Sequence, residues 1–331
     1  VLSRVADSIY WMNRYVERAE NVARFVDVHL HLQLDAAFGA DEQWAPILAT
    51  SGDQAAFDAR YPSPTRDNVL RFLSFDEANP NSIISCLRAA RENARAVREV
   101  ISSEMWEQVN RAYLMVCDAA AGDALESPHE FFTAVKNASQ LFVGVSYLTM
   151  THNEAWHFGR LGRLLERADK TSRILDVKYF LLLPTVNDVG LAYDDIQWGA
   201  LLKSASAFEM YRKKHGLLSP AKVVEFLLLE RKFPRAIRYC VVKAERSAHA
   251  ITDTPLDAGA SPAERALGSI RTTLDASEIQ AIMAGGLHEY LDTFQTRLNA
   301  ASDAIHETFF ALRPMTSSMA PPPMSQSQSQ G

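Results

Sequence analysis

The chain reads as all-α, a duplicated helical bundle with pseudo-twofold related halves and a disordered C-terminal tail. Two observations predict this. Apolar residues recur at three- and four-residue intervals over nearly the whole length, and the alternating β-branched runs of strands are missing. One unit is also used twice. The stretch RYVERAENVARFVDV at residues 14–28 returns as RLLERADKTSRILDV at residues 163–177. Arg14, Glu17, Arg18, Ala19, Arg24, Asp27 and Val28 are matched by Arg163, Glu166, Arg167, Ala168, Arg173, Asp176 and Val177. Self-similarity of this kind reports how many times a structural unit was copied.

In the first helix, Met12, Val16, Ala19, Val22, Ala23 and Val26 share one side at about 100° per residue, and Arg14, Glu17, Glu20, Asn21, Arg24 and Asp27 share the other. Gly39, Pro46, Gly52, Pro62 and Pro64 then predict loops with at most one short helix. After Asn79, Pro80 and Asn81 a firmer helix is expected from Ile83 to Ile101, capped by Asn81 or Ser82. It places Leu87, Ala90, Ala94, Val97 and Ile101 on one face and Arg88, Arg91, Glu92, Arg95, Arg98 and Glu99 on the other.

The repeat continues through this region. Residues 41–96 align without a gap on residues 195–250, at an offset of 195 − 41 = 154. Gln43, Trp44, Val69, Phe72, Leu73, Pro80, Ile83 and Cys86 meet Gln197, Trp198, Val223, Phe226, Leu227, Pro234, Ile237 and Cys240. The opening stretch sits at 163 − 14 = 149, so a five-residue change in a loop reconciles the two registers, which loops accept cheaply. A weaker echo sets His129 and Glu130 against His288 and Glu289. The expected organisation is a first repeat over 1–150, a second over 151–313, both packed as one unit, and a Pro/Ser/Gln tail over 314–331.

Composition narrows the function classes. With 331 residues, 47% of them hydrophobic, the chain can bury a large core. A formal charge of −6 argues against broad nucleic-acid binding, and the basic run Arg212, Lys213, Lys214, His215 before Gly216 reads as cations at a helix C-terminus. No apolar run reaches the ~18 to 20 residues of a membrane span, and no basic segment with an apolar signal core opens the chain. Cys86, Cys117 and Cys240 have no paired spacing, so free thiols and a cytoplasmic protein are expected.

The charged positions that return in the repeat are the candidate site: Arg14, Glu17, Arg18, Arg24, Arg163, Glu166, Arg167 and Arg173, with Arg91, Glu92 and Arg95 on the charged face of the later helix. A solvated face gains only ~0.2 to 0.5 kcal/mol per ion pair and has no reason to keep one order of charges through a duplication. That favours constrained charges, in a structural ion network or a ligand or partner site, over a solvated face, and the spacing alone keeps all three open. In the ligand reading Glu17 and Glu166 are acid/base candidates in a shared cleft, and Arg18 and Arg167 would hold a carboxylate or phosphate, whose geometry a guanidinium fork matches.

Other chemistries find less support. Glu154 and His157 have the Glu-x-x-His spacing of carboxylate-bridged di-metal bundles, but the motif occurs once, and Glu245 with His249 has the wrong spacing. His29 and His31, two apart, point in different directions on a helix, so no metal is expected. Cys86 and Cys240 follow the apolar spacing of their helices and read as packing residues. Without a Gly-rich phosphate loop, a nucleophile elbow or Cys-x-x-Cys, no cofactor and no independent ATP binding are expected.

The stretches VLSRVADSIYWMNRYVERAENVARF, NPNSIISCLRAARENARAVR with SSEMWEQVN, and LGRLLERADKTSRILDVKY with WGALLKSASAFEMYR resemble the bacterial alpha-E family, an all-helical domain named for its Glu-Arg motif. The resemblance covers the chain to about Leu312; where the family pattern begins with Met, this chain has Val1. It implies a setting. Members are typically encoded beside, or fused to, a circularly permuted ATP-grasp amidoligase, often with a transglutaminase-like protein. The expectation is therefore a helical, non-catalytic or co-catalytic partner in ATP-dependent peptide-bond formation or peptide modification.

Overall fold

The computed structural model describes residues 1–35, 44–181 and 192–311, and every regular element in them is helical. The first half holds α1 (Ser3–Asp35), α2 (Ala45–Ser51), α3 (Gln54–Asp58), α4 (Arg66–Ser74), α5 (Ile83–Ala96), α6 (Ser103–Ala121) and α7 (Pro128–Thr149). The second holds α8 (Glu154–Leu181), α9 (Ala192–Ser204), α10 (Phe208–His215), α11 (Pro220–Leu229), α12 (Ile237–Thr252), α13 (Pro262–Asp275), α14 (Ile279–Gly285) and α15 (Leu287–Ile305), closed by a π-helical turn at His306–Phe310. Three helices begin at the sequence offset: 54 + 154 = 208, 66 + 154 = 220 and 83 + 154 = 237. No described helix is long and apolar enough to cross a membrane.

The two longest helices lie at the centre. α1 packs on α5, α7 and α8, and α8 packs on α1, α12 and α15, within one continuous apolar core that spans both halves. Two glycines of α8 bring the pair close. A Cβ on Gly162 would stand 2.4 Å from the Tyr10 carbonyl oxygen, and one on Gly159 would stand 2.6 Å from Asn13 Nδ2.

The apolar side expected for α1 is buried at all six positions. Its charged side is buried as well, with Glu17, Glu20, Asn21, Arg24 and Asp27 all at most 8% exposed. A helix about 50 Å long at 1.5 Å per residue is thus enclosed on both faces over its middle turns.

Two local expectations need correction. Between Gly39 and Pro64 the chain forms two short helices, α2 and α3, where at most one was expected. Pro46 lies in the first turn of α2, where a missing N–H costs nothing, and Gly52 ends that helix at φ 82°. The helix expected over 83–101 stops at Ala96. Val97 breaks helical geometry and the chain turns, although Val97 and Ile101 stay buried, and Ser102 caps α6 by accepting from the Met105 N–H. Ser82 is the cap of α5, accepting from Ser85 N–H, and Thr65 caps α4 in the same way. Arg212, Lys213, Lys214 and His215 form the last turn of α10 before Gly216, as the charge run suggested. The 314–331 tail, Asp41 and Gln43 lie outside the described residues.

Candidate functional site

Residues three and four apart share a helix face, so α1 offers Arg14, Glu17 and Arg18 together and α8 offers Arg163, Glu166 and Arg167. The crossing of α1 on α8 joins the two sets. Glu166 accepts from Arg14 Nε at 2.9 Å and from Arg18 Nε and Nη2 at 2.7 and 3.1 Å, with Lys170 Nζ at 3.8 Å. Glu17 accepts from Arg167 Nε and Nη2, both at 2.8 Å, from Arg235 Nη1 at 3.2 Å and from Asn21 Nδ2 at 3.2 Å. Arg235 also donates to Glu20 at 2.5 Å, and Glu20 is paired with Arg24.

The contacts are reciprocal. Adding 149 to the α1 number and subtracting it from the α8 number turns Glu17–Arg167 into Glu166–Arg18, since 17 + 149 = 166 and 167 − 149 = 18. The same exchange turns Asn13–Gly159 into Gly162–Tyr10. Outside the crossing, Asp27 meets His129 at 2.7 Å while Asp176 meets His288 at 2.6 Å, so the faint His129/His288 echo marks equivalent contacts. Cys86 and Cys240 each donate to a proline carbonyl, of Pro80 and Pro234, at 3.7 and 3.4 Å.

The Arg14–Glu166 contact has no counterpart among the described residues. Arg14–Glu166 should have its counterpart in Arg163–Glu17, yet Arg163 donates no hydrogen bond among the described residues, and its Nε is buried without a partner. Arg235 takes its place. In the first half the corresponding residue, at 235 − 154 = 81, is Asn81, which accepts from Arg18 at 2.7 Å and donates to Asp53 at 2.7 Å.

The charges are locked by this geometry. Burial alone would raise the Glu17 carboxyl, but Arg167 and Arg235 hold it at about 2. Burial is likewise outweighed at Glu166, where Arg18 and Arg14 keep the carboxyl far below the usual range. Burial, with Arg167 beside it, pulls the unpaired Arg163 down to about 10. Both carboxylates are closed to solvent, Glu17 at 2% and Glu166 at 0% exposure. An acid/base group must reach a substrate proton, and neither does.

A cleft of about 280 Å³ opens on the Glu166 side, lined by Arg14, Arg18, Asn81, Asp169, Lys170 and Arg173 among others. Arg173 is tied to Asp169 at 3.0 Å. Neither Glu17 nor Glu166 lines this cleft.

The remaining candidates fall elsewhere. Arg24 belongs to the Glu20 pair beside Glu17. Arg91, Glu92 and Arg95 do not join the network: Arg91 donates to Asn110 at 2.7 Å on the α5–α6 side, and Arg95 pairs with Glu92 at 2.7 Å at the surface. Among the described residues, Asp27, His31 and His129 bring ligand atoms within 4.8 Å of one another. Lys136 already neutralises Asp27 at 2.6 Å, and the Asp–His pair recurs at Asp176–His288, so we read it as an ion pair of the fold. Cys86 and Cys240 are buried, and burial pushes both thiols up to about 12, which leaves them inert. Arg235, Asn81, Glu20 and Lys170 complete the site without having been singled out. Arg235 and Asn81 had a signal, since both follow the repeated proline just before the Cys-bearing helix.

A family model described as a predicted alpha-helical domain with a conserved ER motif matches residues 1–310. Uncharacterized proteins of Mycobacterium bovis and of two Mycobacterium tuberculosis strains are each 26% identical over 339 residues, covering 93% of this chain and 37% of the relative. The chain thus spans little more than a third of those relatives. No solved structure matches it.

Proposed function

The chain belongs to the Alpha-E family, and from that premise we propose that it is a helical scaffold that works as the partner of a circularly permuted ATP-grasp amidoligase in peptide-bond formation or peptide modification. The observation that carries this reading is the closure of the Glu-Arg network. Both glutamates are out of solvent and matched by arginines, which supports a motif that fixes how α1 crosses α8 over one that reacts with a substrate. The greater length of the mycobacterial relatives supports it, since there the region adjoins further chain. A transglutaminase-like protein is a second partner that the family setting implies.

Co-purification with the adjacently encoded ATP-grasp protein, followed by mass spectrometry after incubation with ATP and amino acids, tests the proposal. A stable complex whose product is lost when this chain is omitted supports it. Full product formation by the ATP-grasp protein alone would remove it.

A second reading draws on the cleft beside Glu166. Arg14, Arg18, Lys170 and Arg173 face about 280 Å³ of open space with Asp169 as the lining carboxylate, which suits a carboxylate-bearing peptide substrate held for the partner enzyme. Arg173→Ala, which leaves the Glu166 pairs intact, should then weaken substrate use by the complex, and unchanged kinetics would discard the idea.

A further inference from the structure

The packed helices α8 and α12 carry a group of cations that form no ion pair among the described residues; Glu17, the carboxylate that acts on Arg163, is already bound by Arg167 and Arg235. On α8, Trp156, Arg160, Arg163 and Arg167 follow at steps of four, three and four; on α12, Tyr239, Lys243 and Arg246 follow at four and three, so each set lines one helix face. Arg167 is spent on Glu17. Arg160, Arg163, Lys243 and Arg246 make no ion pair among the described residues. Arg160 lies over the Trp156 ring at 5.3 Å and Lys243 over Tyr239 at 5.6 Å. Arg163 Nε is buried without a hydrogen-bond partner, as is Nδ1 of His157, which lies beside Arg160 on α8.

These cations sense one another. Burial first, then Arg246 and Arg160, lowers Lys243; burial and Arg246 lower Arg160; and burial with Arg160 lowers His157. Like charges held together without counter-charge are costly unless an anion joins them.

The first half has no such group. Subtracting the repeat offsets, Arg160 answers to Trp11 (160 − 149), Lys243 to Ala89 (243 − 154) and Arg246 to Glu92 (246 − 154), while Arg14, the counterpart of Arg163, is bound to Glu166. The second copy therefore carries cations where the first has Trp11, Ala89 and Glu92. Glu17 is bound by Arg167 and Arg235, and Arg163 donates no hydrogen bond to it.

We propose that Arg160, Arg163, Lys243 and Arg246 form a binding site for a phosphate group, either free or carried on a small molecule. A single carboxylate would answer only one of the four cations. A phosphate brings up to two charges and several acceptor oxygens, and guanidinium forks bind it in pairs of hydrogen bonds. Arg246 is exposed and Arg160, Arg163 and Lys243 are half-buried, so the site opens to solvent with Arg163 at its inner end. None of these four residues lines the cleft beside Glu166.

Isothermal titration of the full chain with inorganic phosphate and with glycerol 3-phosphate, at fixed ionic strength in chloride, tests it. Saturable binding is expected, weakened at least about tenfold in Arg246→Ala and in Arg163→Met, and unchanged in Arg95→Ala, a surface cation outside the group. Tighter binding of the ester than of inorganic phosphate would assign the carried group, and the reverse the free ion. Without phosphate, Arg163→Met should melt no lower than the parent chain, since it removes a buried cation that donates to no carboxylate. Absence of saturable binding, full binding by Arg246→Ala, equal binding of succinate, or a marked drop in the melting temperature of Arg163→Met would each overturn the proposal.

Discussion

Arg167 grips Glu17 through two hydrogen bonds of 2.8 Å, and Arg18 grips Glu166 in the same manner across the same helix crossing. Each glutamate is thereby bound to an arginine of the opposite half, so the two copies of the motif complete each other and neither is satisfied alone.

Acid should open this crossing. The Glu17 carboxyl lies at about 2 in the folded chain against an ordinary 4.5, so the unfolded chain binds the proton more readily. Its contribution is complete above about pH 4.5 and is lost as the pH falls toward 2. Glu166 is lowered in the same direction by Arg18 and Arg14 against its burial, which deepens the loss. Urea unfolding across that range should show stability falling steeply in the parent chain and less steeply in Glu17→Gln. Parallel curves would mean the carboxylate is not held by its arginines.

The close approach at Gly162 gives a steric prediction. Gly162→Ala places a Cβ against the Tyr10 carbonyl and should cost about 1 to 3 kcal/mol, as overpacking does. Gly144 in α7 has nothing within 4 Å of its would-be Cβ, so Gly144→Ala should gain up to about 1 kcal/mol from helix propensity. Thermal melts of the two variants should move in opposite directions.

The duplication predicts a superposition and a rescue. In a crystal structure, α1, α4 and α5 should overlay on α8, α11 and α12 about a pseudo-twofold axis, and unrelated neighbours around these helices would end that account. In Arg235→Asn, which restores the first-half residue, Arg163 should swing onto Glu17. A structure of the variant with Arg163 still unpaired would show that Arg235 does not displace it.

Much of this was legible in the residues. Helical periodicity located α1 and α5, and the repeat located α8 and paired Glu17 with Glu166 and Cys86 with Cys240. Burial of the charged face of α1 was not legible, because periodicity describes one helix and the face that covers Glu17 comes from Arg167 and Arg235, some 150 and 218 residues away. Nor was the different pairing of Arg163, since its sequence match to Arg14 is perfect and their fates differ through neighbours: Arg235 stands where the first half has Asn81, and Gly159 and Arg160 stand where it has Tyr10 and Trp11, both of which Arg14 contacts. Composition misled at α2 and α3, where Pro46 and Gly52 mark helix ends and were read as loop.

The repeated glutamates hold the fold together, and the unfolding free energies of Glu17→Gln and Glu166→Gln beside Glu107→Gln, an exposed control on α6, test this. Removing one side of a buried ion pair typically costs about 3 to 5 kcal/mol, whereas an exposed glutamate contributes under about 1 kcal/mol. Both buried variants are predicted to lose stability in the larger range while the control stays near the parent chain. Equal stabilities for all three would contradict the account and leave function alone to explain why the charges were kept.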